Sequence, residues 1–128
     1  MIYLDTSVVL AHLLGEDRRP PDWLWDETLV SSRLLEYELW TRIHARGLDG
    51  THGEAVRSAL GGVAFLEMSR PVLGRALEPF PLPVRTLDAL HLSSMIFLIE
   101  RGQDVQLATY DRRMADVARA LELPVADV

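Results

Sequence analysis

The chain contains no cysteine and no lysine. Without cysteine there is no disulfide and no thiolate metal site, a composition that suits a reducing, cytoplasmic compartment. Without lysine, all thirteen basic residues are arginine, so any mechanism that needs an amine side chain is ruled out. What remains is a set of planar guanidinium groups suited to bidentate contact with phosphate or carboxylate. Long apolar runs are missing too. The longest stretches are broken by His12, His91 or Glu100, far short of the ~20 residues a membrane span needs. The opening Met1-Ile2-Tyr3-Leu4-Asp5 has no basic n-region and no cleavage site, so no signal peptide is expected there.

What is present is ordinary for one globular domain spanning residues 1–128, with 48% hydrophobic and 25% charged residues. The net charge of −6 tells against nucleic-acid binding only if the total decides. Acidic residues gathered at a metal site lower the total while arginines elsewhere contact phosphate.

Ile2, Tyr3 and Leu4 form a short apolar run of β-formers that stops at Asp5. Val8 to Leu14 follows as a helix ending at Gly15. An apolar strand ending in Asp at the mouth of a helix is where open α/β sheets place ligand-binding groups, although Asp is also a preferred helix cap. Polar residues and Pro20-Pro21 then lead to a short helix over Pro21 to Glu27, and Thr28 to Val30 reads as a second strand. Ser31 or Ser32 can cap a long helix over Arg33 to Arg46, whose buried stripe is Leu35, Leu39 and Ile43. Thr51 to Leu60 is a further helix, Val63 to Leu66 a third strand, and Arg70 to Leu77 a short helix before the prolines at 79, 81 and 83. Thr86 can cap a helix over Leu87 to Arg101, ended by Gly102. Val105 to Thr109 reads as a buried strand, Asp111 to Leu121 as a helix, and Leu123-Pro124-Val125 as an edge strand. This alternation predicts an α/β fold: a mostly parallel sheet of about four to five strands with helices on both faces.

Four acids recur at comparable places. Asp5 ends the first strand, Asp88 lies in the first turn after Thr86, Asp111 follows the strand ending at Thr109, and Glu38 lies inside the long helix one turn before Arg42. Singly, each has an ordinary structural reading, since an Asp near a helix N-terminus gains ~0.3–1 kcal/mol from the dipole. Together they suggest one acidic cluster at the carboxyl edge of the sheet. Two carboxylates at 4 Å repel by roughly 4 kcal/mol at an intermediate dielectric, so such a cluster must hold protons or a cation. Oxygen ligands without nearby His or Cys point to Mg²⁺ or Mn²⁺. Ions held in that way suit phosphodiester cleavage.

At Leu4-Asp5-Thr6-Ser7, Glu38-Leu39-Trp40-Thr41-Arg42, Leu87-Asp88-Ala89-Leu90-His91-Leu92 and Leu107-Ala108-Thr109-Tyr110-Asp111, the chain resembles the PIN-domain ribonucleases. The likeness is greatest to the small VapC-type toxins of bacterial toxin–antitoxin pairs. It covers nearly the whole chain, with the four motifs in order. It implies a PIN-like three-layer fold and a Mg²⁺-dependent endoribonuclease, with Mn²⁺ as a possible substitute. The resemblance maps the acids of the metal site onto Asp5, Glu38, Asp88 and Asp111, with Thr6 and Thr109 as hydroxyls that orient carboxylates or water. It also implies an RNA substrate, a homodimer and silencing by a cognate VapB-type antitoxin.

Glu36 rivals Glu38, because both flank the Leu35–Leu39–Ile43 stripe; the Glu-Leu-x-x-Arg match favours Glu38. Asp116 reads as a surface residue, and His91 as a packed histidine one turn after Asp88. Arg42, Arg46, Arg85, Arg112 and Arg113 are candidates for phosphate contact or for pairing with nearby acids. Trp23, Leu24 and Trp25 are candidates for a protein-binding surface. Three other readings compete. Phosphotransfer folds share an acidic Mg²⁺ pocket but normally rely on a lysine, which is absent. A catalytically inactive PIN binding module would not need all four acids. A PIN nuclease of RNA maturation, or a structure-specific DNA nuclease, is less expected of so compact a chain.

Overall fold

A computed structural model describes residues 1–128. Four short strands, β1 (Ile2–Leu4), β2 (Leu29–Ser32), β3 (Val63–Leu66) and β4 (Gln106–Ala108), pair in parallel in the order β3-β2-β1-β4. The chain therefore builds the sheet outward in one direction from β1 and returns to its other side with β4. The reversal leaves a crevice at the carboxyl ends of β1 and β4, the place where doubly wound sheets bind ligands. Leu123 to Val125 adds only an isolated parallel bridge, Leu107 to Val125, so the sheet has four strands and no fifth.

Six α-helices cover the two faces: α1 (Thr6–Leu14), α2 (Leu34–Ala45), α3 (Asp49–Gly61), α4 (Arg70–Ala76), α5 (Thr86–Glu100) and α6 (Arg112–Ala120). A 3-10 turn over Asp22–Asp26 stands where a short helix is expected. Side-chain alternation along the strands divides the interior into two cores. Ile2, Leu4, Leu29 and Ala108 join α1, α2 and α3 on one face through Val8, Val9, Leu35, Leu39, Ile43 and Val56. Tyr3, Val30 and Leu107 join α5 and α6 on the other through Leu92, Met95, Met114 and Val117. Leu35, Leu39 and Ile43 are fully buried, and each contributes roughly 1.5–3 kcal/mol of hydrophobic stabilisation that fixes the rotation of α2.

Helix ends differ from expectation where a cap depends on backbone geometry. Asp5 caps α1, which starts at Thr6 and closes at Gly15 with φ +62°, a conformation that favours glycine. Ser31 and Ser32 both belong to β2, and Ser32 Oγ accepts the Leu34 N–H at 3.2 Å. Thr86 is the first residue of α5 and makes no capping bond; Arg85 stands in the extended cap position. No helix is long and apolar enough to cross a membrane.

Candidate metal centre

Three helix N-termini meet at the crevice. Asp5 N–H bonds Ala108 C=O at 3.0 Å, tying the end of β1 to the end of β4. Asp5 caps α1, Asp111 caps α6, and Asp88 lies in the first turn of α5. Each carboxylate sits where helix dipoles and free N–H groups favour negative charge. Glu38 comes from the second turn of α2. Together Asp5, Glu38, Asp88 and Asp111 line a cleft of about 370 Å³ with Thr6, Ser7, Arg42 and Arg85.

Asp5 is 6% exposed, and its protein donors converge on one oxygen. Oδ2 accepts from Ser7 Oγ at 2.5 Å and from Thr109 Oγ1 at 2.8 Å, with the Ser7 N–H at 3.4 Å. Oδ1 receives no protein donor. Thr109 Oγ1 also accepts the Asp111 N–H at 3.0 Å, and Ser7 Oγ accepts the Tyr110 N–H at 2.9 Å. These two hydroxyls therefore lock Asp5 to the turn that carries Asp111. Thr6 Oγ1, expected to orient a carboxylate, lines the same cleft buried and without a hydrogen-bond partner.

Arg85 supplies the positive charge. Its Nε donates to Asp88 Oδ2 at 3.0 Å, and its Nη2 bonds Asp111 Oδ2. Asp111 Oδ1 is occupied by the Arg113 and Met114 N–H groups at 2.9 and 3.2 Å. Burial raises the Asp88 carboxyl above its usual range; Arg85 opposes this, while the charges of Asp111 and Asp5 add to it. The hydrogen bond and charge of Asp88, with those of Asp111, hold the Arg85 guanidinium further above its normal value. Asp88 is thus raised chiefly by its burial, an effect that the Arg85 pairing does not fully offset.

Glu38 and Glu36 part company here. Glu36 turns outward to pair with Arg33 at 3.2 Å, whereas Glu38 faces the cleft with its side chain 15% exposed. Glu38 Oε1 meets His91 Nε2 at 2.5 Å. His91 is packed in the core, as its setting on an apolar helix suggests, but it also touches a cleft acid, which sequence reasoning missed. Ser7 was missed as well. Both could have been suspected only from polar residues adjoining the acidic motifs.

Of the arginines, Arg42 and Arg85 line the cleft. Arg113 lines an adjoining hollow with Arg85 and Asp88. Arg112 lines a separate depression beside Tyr110 and the C-terminal residues, and Arg46 lines neither. Asp116 is exposed and 3.9 Å from Arg119. Trp23 is 44% exposed, but Leu24 is fully buried in the first core and cannot belong to a docking surface. Trp25 packs against His12 with the rings tilted by 45° and their centroids 4.4 Å apart.

The donor set fits a hard divalent cation: carboxylates only, with an unclaimed Asp5 oxygen and the orphaned Thr6 hydroxyl at the same cleft. As placed, no three acids stand close enough to share an ion, and Arg85 bridges Asp88 and Asp111.

The family model of the PIN domain matches residues 2–120. The chain belongs to the PIN domain family. Two relatives of this PIN protein come from Mycobacterium tuberculosis strain ATCC 25618 / H37Rv. "Ribonuclease VapC35" is 35% identical, covering 98% of this chain and 95% of its own length. "Ribonuclease VapC46" is 33% identical, covering 97% and 95%. "Ribonuclease VapC47" from strain CDC 1551 / Oshkosh is 29% identical over 93% of this chain and 90% of its own.

Proposed function

We propose that this PIN protein is an endoribonuclease toxin of the VapC kind, hydrolysing RNA phosphodiester bonds with Mg²⁺, or Mn²⁺ in its place. The observation that carries the proposal is the convergence of Asp5, Glu38, Asp88 and Asp111 on one cleft, where burial holds the Asp88 carboxyl above its usual range. Full-length likeness to proteins named ribonucleases supports the choice of RNA. The VapC resemblance extends the proposal to a homodimer and a cognate VapB-type antitoxin, acting in the cytoplasm.

Asp5, Glu38, Asp88 and Asp111 would hold the ion. When bound, it would lower the pKa of a water to make a nucleophile and stabilise the leaving oxygen. The chain's own residues do the rest. Ser7 and Thr109 hold Asp5 in one rotamer, with Oδ1 left for a ligand. Thr6 lines the cleft with its Oγ1 buried and unpartnered. Arg42, exposed at the cleft and unpaired with any acid, is placed to receive the phosphate backbone. Arg85 is held on Asp88 and Asp111 at the same cleft, where its charge faces the acids that would hold the ion.

The test is a cleavage assay with purified protein and a pool of structured RNAs. Cleavage is expected with Mg²⁺ or Mn²⁺, and is lost with EDTA or in Asp5→Asn. Equal cutting by Asp5→Asn would assign the activity to a contaminant and leave Asp5 as a helix cap. No cutting with either metal would reject the enzyme.

A further inference from the structure

Glu38 is held differently from the other three acids. Asp5 and Asp111 are fixed by backbone N–H groups as helix caps, and Asp88 by its neighbour Arg85. Glu38 has three side-chain torsions and a mid-helix position, and its one protein partner is His91. That partner comes from α5, which packs on the opposite face of the sheet from α2.

His91 is completely buried. Its Nδ1 lies 2.9 Å from Tyr3 Oη and its Nε2 lies 2.5 Å from Glu38 Oε1. Tyr3, also completely buried, accepts the Ser32 N–H at 3.0 Å. These partners order the protons. The Glu38 carboxylate only accepts, so His91 Nε2 carries a proton and donates to it. In the neutral ring Nδ1 then accepts from the Tyr3 phenol, which in turn accepts the Ser32 N–H. A histidine serving packing alone is satisfied by any acceptor in the core. This one bonds outward, to an acid of the cleft.

We propose that His91, oriented by Tyr3, is a positioning residue that claims Glu38 Oε1 and thereby holds Oε2 in the cleft as a metal-ligand oxygen. The proposal rests on the reading of Glu38 as a ligand of the ion. Groups that orient a ligating side chain typically account for 10–100-fold in metal affinity. The chain Ser32–Tyr3–His91–Glu38 runs from the end of β2 through the second core to α2. It couples the rotamer of a long acid to the rigid part of the fold.

The test is calorimetric titration of the metal-free full chain with Mn²⁺, alongside a thermal melt of each variant. Glu38→Gln is expected to weaken Mn²⁺ binding. His91→Met, which keeps the bulk but has no donor, is expected to weaken it by about 10–100-fold. His91→Gln, whose amide can accept from Tyr3 and donate to Glu38, is expected to recover most of that loss. Wild-type affinity in His91→Met, with weak binding in Glu38→Gln, would overturn the positioning role and leave the ligand reading standing. Wild-type affinity in Glu38→Gln would overturn the ligand reading itself, and the proposal with it. Should His91→Met fail to fold, nitrogen-15 NMR of histidine-labelled wild type decides. The proposal requires an Nε2-protonated His91 whose proton resonance moves on Mg²⁺ titration. An Nδ1-protonated ring, or a resonance indifferent to Mg²⁺, would overturn it.

Discussion

Asp88 is the cleft acid whose charged form burial disfavours. Burial, with the charges of Asp111 and Asp5, raises its carboxyl above the ordinary value of 3.8 despite Arg85. A carboxyl raised in the folded state favours its protonated form there. Its contribution to stability is therefore complete below the unfolded value and is lost as pH rises through the folded one. In metal-free buffer Asp88→Asn should match wild type in acid and become the more stable protein as pH rises past the usual carboxylate range, the gap then levelling off. Mg²⁺ should close that gap, because an ion that binds the folded wild type stabilises it by mass action. Thermal melts of both proteins across pH, with and without Mg²⁺, measure this. A variant less stable than wild type at neutral pH would mean that the Arg85 pairing outweighs the burial of the charge.

At the scale of elements, the junction of β1 with α1 and of β4 with α6 is one unit, and Ser7 is its pin. Its hydroxyl donates to Asp5 and accepts the Tyr110 N–H. Ser7→Ala leaves that N–H without its acceptor, a loss of about 1–3 kcal/mol where the group stays dry. Thr6→Val removes a hydroxyl that bonds nothing in the protein and should leave the melting temperature near wild type. Comparing the two by thermal melts checks which hydroxyl holds the junction; equal losses would reject the assignment to Ser7. Which of two adjacent hydroxyls turns back to the cap depends on the phase of the first helical turn, so the sequence reading named Thr6 and passed over Ser7. The strand–Asp–helix junctions themselves were readable, because an apolar run, a capping acid and a helical stripe are all local signals. Glu38 was readable in motif but not in direction, since it and Glu36 flank the same stripe; the rotation of α2 in its core turns one inward and the other out to Arg33. The bond of His91 to Glu38 joins residues 53 positions apart on different helices. No local pattern announces such a pairing.

For the whole molecule, the question is how a chain of net charge −6 engages a polyanion. Part of that negative charge lies in the cleft, where a divalent ion would offset it, while the arginines at the rim remain available. Arg42 is the clearest case, exposed, lining the cleft and joined to no acid. Arg85 is already committed to Asp88 and Asp111. If Arg42 neutralises one phosphate, binding loses about 0.7 of a logarithm unit per logarithm of salt through that contact on a single strand. Arg42→Ala should therefore raise the KM for RNA and flatten its dependence on salt by about that amount, while kcat changes much less. Initial rates at several salt concentrations, with Mg²⁺ held saturating, separate the two effects. A fall in kcat with KM and the salt slope unchanged would place Arg42 with the reacting groups instead of the backbone contact. The charge-preserving Arg42→Lys should keep most of the salt slope, because the phosphate responds chiefly to the charge, and lose only what the planar guanidinium adds in a bidentate contact.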